Sequence, residues 1–569
     1  MLFEPTPGGD VAVCLVYPNT YAVGMANLGF QAVFEILARH PRVRCERAFL
    51  PDRDDPEREV VSLESGRAVR DFEIVAFSIS FESDYLHVLD VLAAAGIAPL
   101  RDERNGGPLL IAGGPATFLN PEPIADFFDL FLIGEGEEMI PEFLACYVAA
   151  RDAGGGRAGV LDATAEVEGA YRPDRYTIEY AADGTIQSVS YRGPGGGAVK
   201  RRLVADLDRF STASKVLAPE AVFGDMYLVE ASRGCEWGCR FCAAGYMYRP
   251  IRSRSVERLK EEAARGLEAR PTIGLVGAEM ASVPGIAELC EFVADRGGRP
   301  SPSSLKADVI SRRLATALGR SATQSVTVAP EAGSERMRRV INKNLTEPEI
   351  LRAADWLVGS GVQAMKLYFM IGLPTETHED VAAIAELTTK IRARFHRDGR
   401  VRRLTLSINP FGPKPWTPLQ WEPMEDLKSL KAKIDYLRRE IGKLPSVTCD
   451  VESPREAYYA TLLSRGDRRV SRLLLAIRAA GGDWWRVVQE QRRAARDDGY
   501  RSAATAAGAA IIDPDFYVRR AYAVDEILPW DFIDHSLHKR FLWVERTRAY
   551  AERQTMPCDV TTCRVCGAC

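Results

Sequence analysis

Nowhere in these 569 residues is there an apolar run approaching the eighteen or so needed to span a bilayer. The opening residues MLFEPTPGGD lack the basic stretch and apolar core of a secretory signal. Together these absences predict a cytoplasmic protein without a membrane span. Charge of one sign is also missing: 74 basic side chains against 78 acidic ones leave a net charge of −4. No global field therefore draws the chain to nucleic acid, but local basic stretches such as RPIRSRSVERLK leave room for a basic face, so nucleic acid is neither supported nor excluded as a partner. No fixed-period repeat emerges. Wholesale disorder is excluded by composition, 46% hydrophobic and 27% charged. Histidine is scarce, at six residues. Cysteine is not: there are twelve, and four fall in the closing PCDVTTCRVCGAC. In a reducing compartment, clustered cysteines point to metal ligation or catalysis rather than disulfides.

The length implies several cores. Over 1–150, VAVCLVYP, FEIVAFSIS, PLLIAGGP and DLFLIGEGEE read as strands. They alternate with helical patterns such as GFQAVFEILARH and YLHVLDVLAAAG, which predicts a doubly wound parallel sheet. Gly113, Gly114, Gly134 and Gly136 fall at strand C-terminal ends, where such sheets bind ligands. Residues 151–215 read as a connecting subdomain, with YTIEYAADGTIQSVSYR a β-hairpin around an Asp-Gly turn. Over 216–425 six strand candidates recur: MYLVEAS, TIGLVGA, SSLKAD, QSVTVAP, MKLYFMIG and RLTLSINP. They predict an incomplete (β/α)6 barrel with its site at the strand C-terminal ends. Residues 426–557 read as mainly helical, including an alanine-rich patch AATAAGAAI, before the cysteine tail 558–569. The expected fold class is thus α/β throughout the first two large domains, with a helical C-terminal region.

Directly after the first barrel strand stands RGCEWGCRFC, with Cys235, Cys239 and Cys242 spaced x3 and x2. Three thiolates so close can hold three corners of a [4Fe–4S] cube and leave one iron open to a further ligand. Phe241 would shield such a cluster. The competing reading is a zinc loop completed by a distant His or Cys. In the tail, Cys558, Cys563, Cys566 and Cys569 are spaced x4, x2 and x2. They suit a second, fully ligated cluster, with zinc, a thiol relay or a disordered tail as alternatives. Cys14, Cys45, Cys146, Cys290 and Cys449 are scattered singly and read as small core residues. His40 and His87 read as surface or packing residues, His378 as a solvated helix N-terminal residue or an acid–base group near the cofactor, and Glu135 and Glu137 either as helix-start residues or as ligand contacts.

The triplet after the first strand of a six-repeat barrel resembles the radical S-adenosylmethionine superfamily, and five further segments agree in order. VGAEM places Glu279 at the position that holds the methionyl amine. SSLKAD offers Ser304 or Lys306 to the cofactor, and APEAGSERM places Glu331 and Ser334 at the ribose or carboxylate. MIGLPTET supplies Gly372 and Glu376, and INPFGPKPWTPLQW would frame adenine. The resemblance implies S-adenosylmethionine on the open iron, an electron donor such as flavodoxin or ferredoxin, and a 5′-deoxyadenosyl radical that takes hydrogen from a substrate.

YPNTYAVGMANLG, GGPATFLNPEPIADFFD and LIGEGEE resemble the cobalamin-binding-type domain that precedes many radical enzymes. With KPWTPLQW, LSRGDRR and EILPWDFID they look like one family with that domain fused. The Asp-x-His-x-x-Gly motif that ligates cobalt is absent, so cobalamin would bind without it or the domain has kept only the fold. The implied reaction is transferase-type, such as methyl transfer through cobalamin, with the tail cluster moving electrons. Methylthiotransferase-like sulfur insertion and a non-catalytic iron–sulfur or cobalamin sensor are the alternatives.

Overall fold

The computed structural model describes residues 1–51, 59–104, 106–321, 325–396, 402–497 and 511–569. The alanine-rich patch read from the sequence lies outside the described residues, except for Ile511 at its end. The chain folds into two compact units, each assembled from separated segments.

The first unit comprises 1–205, 214–224 and 459–535. Its centre is a six-stranded sheet: β1 (Val11–Thr20), β2 (Val43–Leu50), β3 (Ile74–Ser78), β4 (Leu109–Gly113), β5 (Leu130–Leu132) and β6 (Ala170–Tyr171), in the order β2-β1-β3-β4-β5-β6. All neighbours pair in parallel except β5 with β6. The first eight residues of β1 are buried without interruption. That is the pattern of a strand covered on both faces rather than one alternating between core and water. Sequence patterning missed β2, VRCERAFL, because its three arginine and glutamate side chains mask the apolar period. Arg47, for example, is buried and pairs with the more exposed Glu64 at 2.7 Å.

The hairpin forms as expected from Tyr176–Tyr180 and Ile186–Tyr191, turning at Asp183-Gly184. Residues 459–535 return to the first unit through polar contacts. Asn120 Nδ2 donates to the carbonyls of Ser464 (3.1 Å) and Gly466 (2.7 Å). Arg468 pairs with buried Glu122 at 3.1 Å and donates to the Tyr171 hydroxyl at 2.7 Å. His535 Nε2 meets the Phe118 carbonyl at 2.8 Å. The LSRGDRR segment is therefore a structural strap on the turns that follow β4.

The second unit comprises 206–213, 225–458 and 536–569. Three parallel strands, Met226–Glu230, Thr272–Val276 and Arg299–Pro302, form one sheet. Four more, Ser325–Glu331, Ala364–Ile371, Arg403–Pro410 and Val447–Val451, form the next. A single parallel bridge, Leu305 to Val328, joins the two sheets into an open arc. Two details differ from the sequence reading. The third strand precedes SSLKAD, which forms the loop at that strand's C-terminal end; Arg299–Pro302, with two prolines, carries no β-former signal. A seventh strand, Val447–Val451, lies in the stretch read as helical. No helix among the described residues is long and apolar enough to cross a membrane.

Candidate active site

The triplet loop leaves the first barrel strand through Ser232–Arg233, which pairs antiparallel with Arg252–Ser253 and closes the loop at its base. Inside it, Cys239 is buried and Cys235 and Cys242 are partly buried. Cys235 is pushed up by burial and by the neighbouring Cys239 and Cys242 sulfurs, and it receives a backbone N–H from Trp237. Cys242 is also raised by burial, with backbone N–H groups of Gly245 and Ala244 directed at its sulfur. Burial pushes the Cys239 thiol up to about 11, against the opposing pull of the Lys343 and Lys306 ammoniums. The loop is held from both sides. Trp237 Nε1 donates to Ser282 at 3.1 Å, and the Lys306 ammonium lies 3.7 Å from the Trp237 ring. Tyr246 and Asn342 both donate to the Gly238 carbonyl, at 3.2 and 3.0 Å. Phe241 packs on an apolar cluster of Met337, Val340, Ile341, Leu373, Phe411 and Leu419.

The ends of the next strands contribute charge. Glu279 accepts the backbone N–H groups of Ala281 (2.7 Å), Ser282 (2.8 Å) and Lys306 (3.0 Å), and so ties the second strand's loop to the third's. Lys306 is buried, pairs with Asp308 and donates to the Asn344 carbonyl at 3.1 Å. The Ser304 carbonyl accepts Met280 N–H at 3.1 Å. Glu331 ends the fourth strand in the left-handed region (φ 66°), a conformation that costs a β-carbon residue energy and recurs at functional sites. Its carboxylate meets buried Lys343 at 3.3 Å. Lys343 is in turn an electrostatic neighbour of Cys239 and Cys242, and its ammonium is driven up by Glu331 and those sulfurs against the effect of burial.

Cys235, Cys239, Cys242, Glu279, Lys306 and Glu331 are thus gathered, joined by Lys343. Ser334 and Glu376 are committed elsewhere. Ser334 caps the helix Glu335–Val340 and donates to Asp380. Glu376 accepts Gly372 N–H at 2.7 Å and pairs with Lys433 at 2.7 Å, and burial still raises its carboxyl to about 6.

Sequence reasoning missed Trp237 and the Asn342-Lys343-Asn344 segment. The signal was present in the triplet Asn-Lys-Asn, because asparagine tolerates left-handed backbone; Asn342 and Asn344 have φ of 54° and 47°.

In the first unit, Gly113 ends β4, Gly114 begins the short helix Pro115–Leu119 and Gly136 begins Gly136–Asp152. Gly134 has φ 130° and forms a bridge with Arg202. A β-carbon there would lie 2.4 Å from the Arg202 backbone, so the chain's own residue 202 requires this glycine. Glu135 is buried, accepts Val204 N–H at 2.9 Å and lies 3.9 Å from Arg201. His87, on the helix after β3, is bound through Nδ1 to the Pro18 carbonyl at 3.1 Å. His378 is exposed at a helix start, edge-on to Tyr436.

Among the described residues, no three His, Cys, Asp or Glu side chains stand at the spacing for one metal ion. Three thiols in one loop, two of them receiving backbone N–H groups and two, Cys239 and Cys242, beside the buried Lys343, fit a cube with one unclaimed corner. Hydrogen bonds to the sulfurs and nearby cations are what stabilise such a cluster's negative charge.

A family described as radical SAM proteins, N-terminal, matches residues 29–173, and the radical SAM superfamily matches 229–388. The uncharacterized protein MJ0966 of Methanocaldococcus jannaschii is 30% identical over 468 residues, covering 81% of this chain and 90% of that one. Among solved structures, the radical S-adenosylmethionine methyltransferase TsrM of Kitasatospora setae superposes with a TM-score of 0.46 at 14% identity, over 69% of this chain and 72% of that one. The cobalamin-dependent radical enzyme OxsB with aqua-cobalamin bound gives 0.49 at 11% identity, over 95% and 80%. The chain belongs to the radical SAM superfamily, whose domain works with a [4Fe–4S] cluster and S-adenosylmethionine, and to one family with MJ0966.

Proposed function

We propose that this protein is a radical S-adenosylmethionine enzyme of transferase type, which cleaves that cofactor and functionalises an unactivated carbon of its substrate. The observation that carries the reading is the triplet loop itself: three thiols at the C-terminal end of the first barrel strand, with Lys343 beside Cys239 and Cys242 and Lys306 beside Cys239. When bound, the cluster supplies the electron that breaks the sulfonium C–S bond. The chain's own part is to hold and orient. Lys343 offsets thiolate charge, Glu331 answers Lys343, and Glu279 fixes the loops of the second and third strands. Phe241 and its apolar cluster exclude water from one side of the loop.

Methyl transfer is the outcome we favour, with cobalamin as the methyl carrier in the N-terminal sheet. The order of that sheet reverses between β1 and β3, the place where doubly wound sheets take ligands. Beside it Asp84 is buried, and its Oδ2 has no hydrogen-bond partner among the described residues. An orphaned buried carboxylate oxygen fits a ligand that brings its own donors, as the amide side chains of a corrin do.

The test is anaerobic reconstitution followed by S-adenosylmethionine and dithionite. Wild-type protein should form 5′-deoxyadenosine, Cys239→Ser should form none, and added hydroxocobalamin should give a bound visible spectrum. An intact cluster spectrum without deoxyadenosine would overturn the enzyme reading.

A further inference from the structure

The tail is docked, and it is docked on the triplet loop. Cys558 N–H donates to the carbonyl of Glu236, the residue after Cys235, at 2.8 Å. Just upstream, Thr555 N–H donates to Asn342 Oδ1 at 2.7 Å, and Asn344 Nδ2 donates to the Thr555 carbonyl at 2.8 Å. Asn342 is the same residue that holds the Gly238 carbonyl of the triplet loop. Downstream, His538 N–H donates to the Cys566 carbonyl at 2.9 Å. Gly567 turns there with φ 96°, and a β-carbon would come within 2.8 Å of His538 Nε2 and the Ser536 carbonyl.

The four tail thiols are neighbours of one another: Cys558 feels Cys566, Cys563 and Cys569, and Cys569 feels Cys566 and Cys563. Cys566 is buried at 3% exposure although it is the fourth residue from the chain end. Between the two cysteine groups lies Arg249, itself buried. Its Nε donates to the Gly245 carbonyl at 2.9 Å, three residues beyond Cys242, while its guanidinium also donates to the Cys566 sulfur. The guanidinium is sandwiched by the Tyr246 ring at 4.8 Å and the Phe541 ring at 5.7 Å. A buried cation aimed at a thiol has one chemical sense, to answer thiolate charge.

We infer that Cys558, Cys563, Cys566 and Cys569 hold a second [4Fe–4S] cluster built onto the wall of the triplet loop, with Arg249 as the shared cationic partition. Four thiolates fill all four corners, so this centre binds no substrate and serves to pass electrons. A one-electron carrier of low potential reduces the tail cluster. The tail cluster then returns to its oxidised state as the triplet cluster is reduced by one electron, with no proton moved. The electron-transfer role rests on the radical reading above; the second cluster does not.

The experiment compares anaerobically reconstituted full-length protein with Cys563→Ser/Cys566→Ser, by iron and sulfide content and by electron paramagnetic resonance of the reduced protein. About eight irons should fall to about four, with one of two signals lost. An unchanged iron count, or a tail that takes one zinc while iron stays at about four, overturns the proposal. Arg249→Leu should move the tail signal to a more negative potential and Arg249→Lys should restore it, while the triplet signal moves less. Equal movement of both signals, or of neither, overturns the role given to Arg249. If four irons are lost but wild type makes no 5′-deoxyadenosine, the radical reading fails and the second cluster stands.

Discussion

Lys343 is the residue whose placement says most about the chemistry of the triplet. A buried ammonium is costly unless answered, and here it is answered by Glu331 at 3.3 Å and by the Cys239 and Cys242 sulfurs. Thiolates bound to iron carry net negative charge, so a cation fixed at their side favours the extra electron that radical chemistry requires. Replacing Lys343 by Met leaves the volume and removes the charge. A charge-assisted contact of this kind is worth about 1.5–3 kcal/mol, so Lys343→Met should slow 5′-deoxyadenosine formation at least about tenfold and make the triplet cluster harder to reduce. Lys343→Arg should retain most of the activity. A redox titration in which the Met variant matches wild type would show that the ammonium serves only packing. The sequence could mark the thiols, since their spacing is their chemistry. It could not mark Lys343, because a lone lysine between two asparagines acquires meaning only when the chain brings residue 343 beside residue 239.

Among the elements, parallel strands buried on both faces were legible as continuous apolar runs, and the Asp-Gly hairpin as a turn between two alternating runs. Strands that depart from those patterns were not: Val43–Leu50 carries arginine and glutamate, and Arg299–Pro302 carries two prolines. In sequence the strap LSRGDRR resembles a family signature, but its task is spatial. Arg468 reaches Glu122, which is 1% exposed, and the Tyr171 hydroxyl, and donates to the Pro173 and Tyr176 carbonyls at 3.3 and 3.1 Å. Losing one partner of such a pair leaves the other charge buried. Arg468→Met should therefore cost about 3–5 kcal/mol and lower the thermal unfolding midpoint of the first unit. The double variant Glu122→Gln/Arg468→Met should recover part of that loss, because it removes both charges. A double variant less stable than the single one would mean that the hydrogen bonds to Tyr171 and the two carbonyls, not the charge pair, hold the strap.

On the scale of the whole molecule, neither unit is continuous in sequence. The chain first enters the second unit at 206–213, passes into it again near residue 225 and returns to the first near 459; at 536 it enters the second unit for its final stretch. Residues 459–535 complete the first unit and residues 536–569 complete the second. Sequence patterning reads along the chain and sees helices there, but docking made of side chains bonded to distant carbonyls leaves no periodic trace. Folding should depend on both returns. A fragment of residues 1–224 would keep the apolar sheet yet expose the faces where Asn120 loses the Ser464 and Gly466 carbonyls and Glu122 loses Arg468. An unanswered buried carboxylate and amide cost about 1–3 kcal/mol each or more, against a total stability on the order of 5–15 kcal/mol. The 1–224 fragment should therefore be protease-sensitive and lack a sharp melting transition. Supplying residues 459–535 as a second polypeptide should restore protection of the first unit. Full protection of 1–224 alone under limited proteolysis would show that the strap is an accessory to a self-sufficient domain.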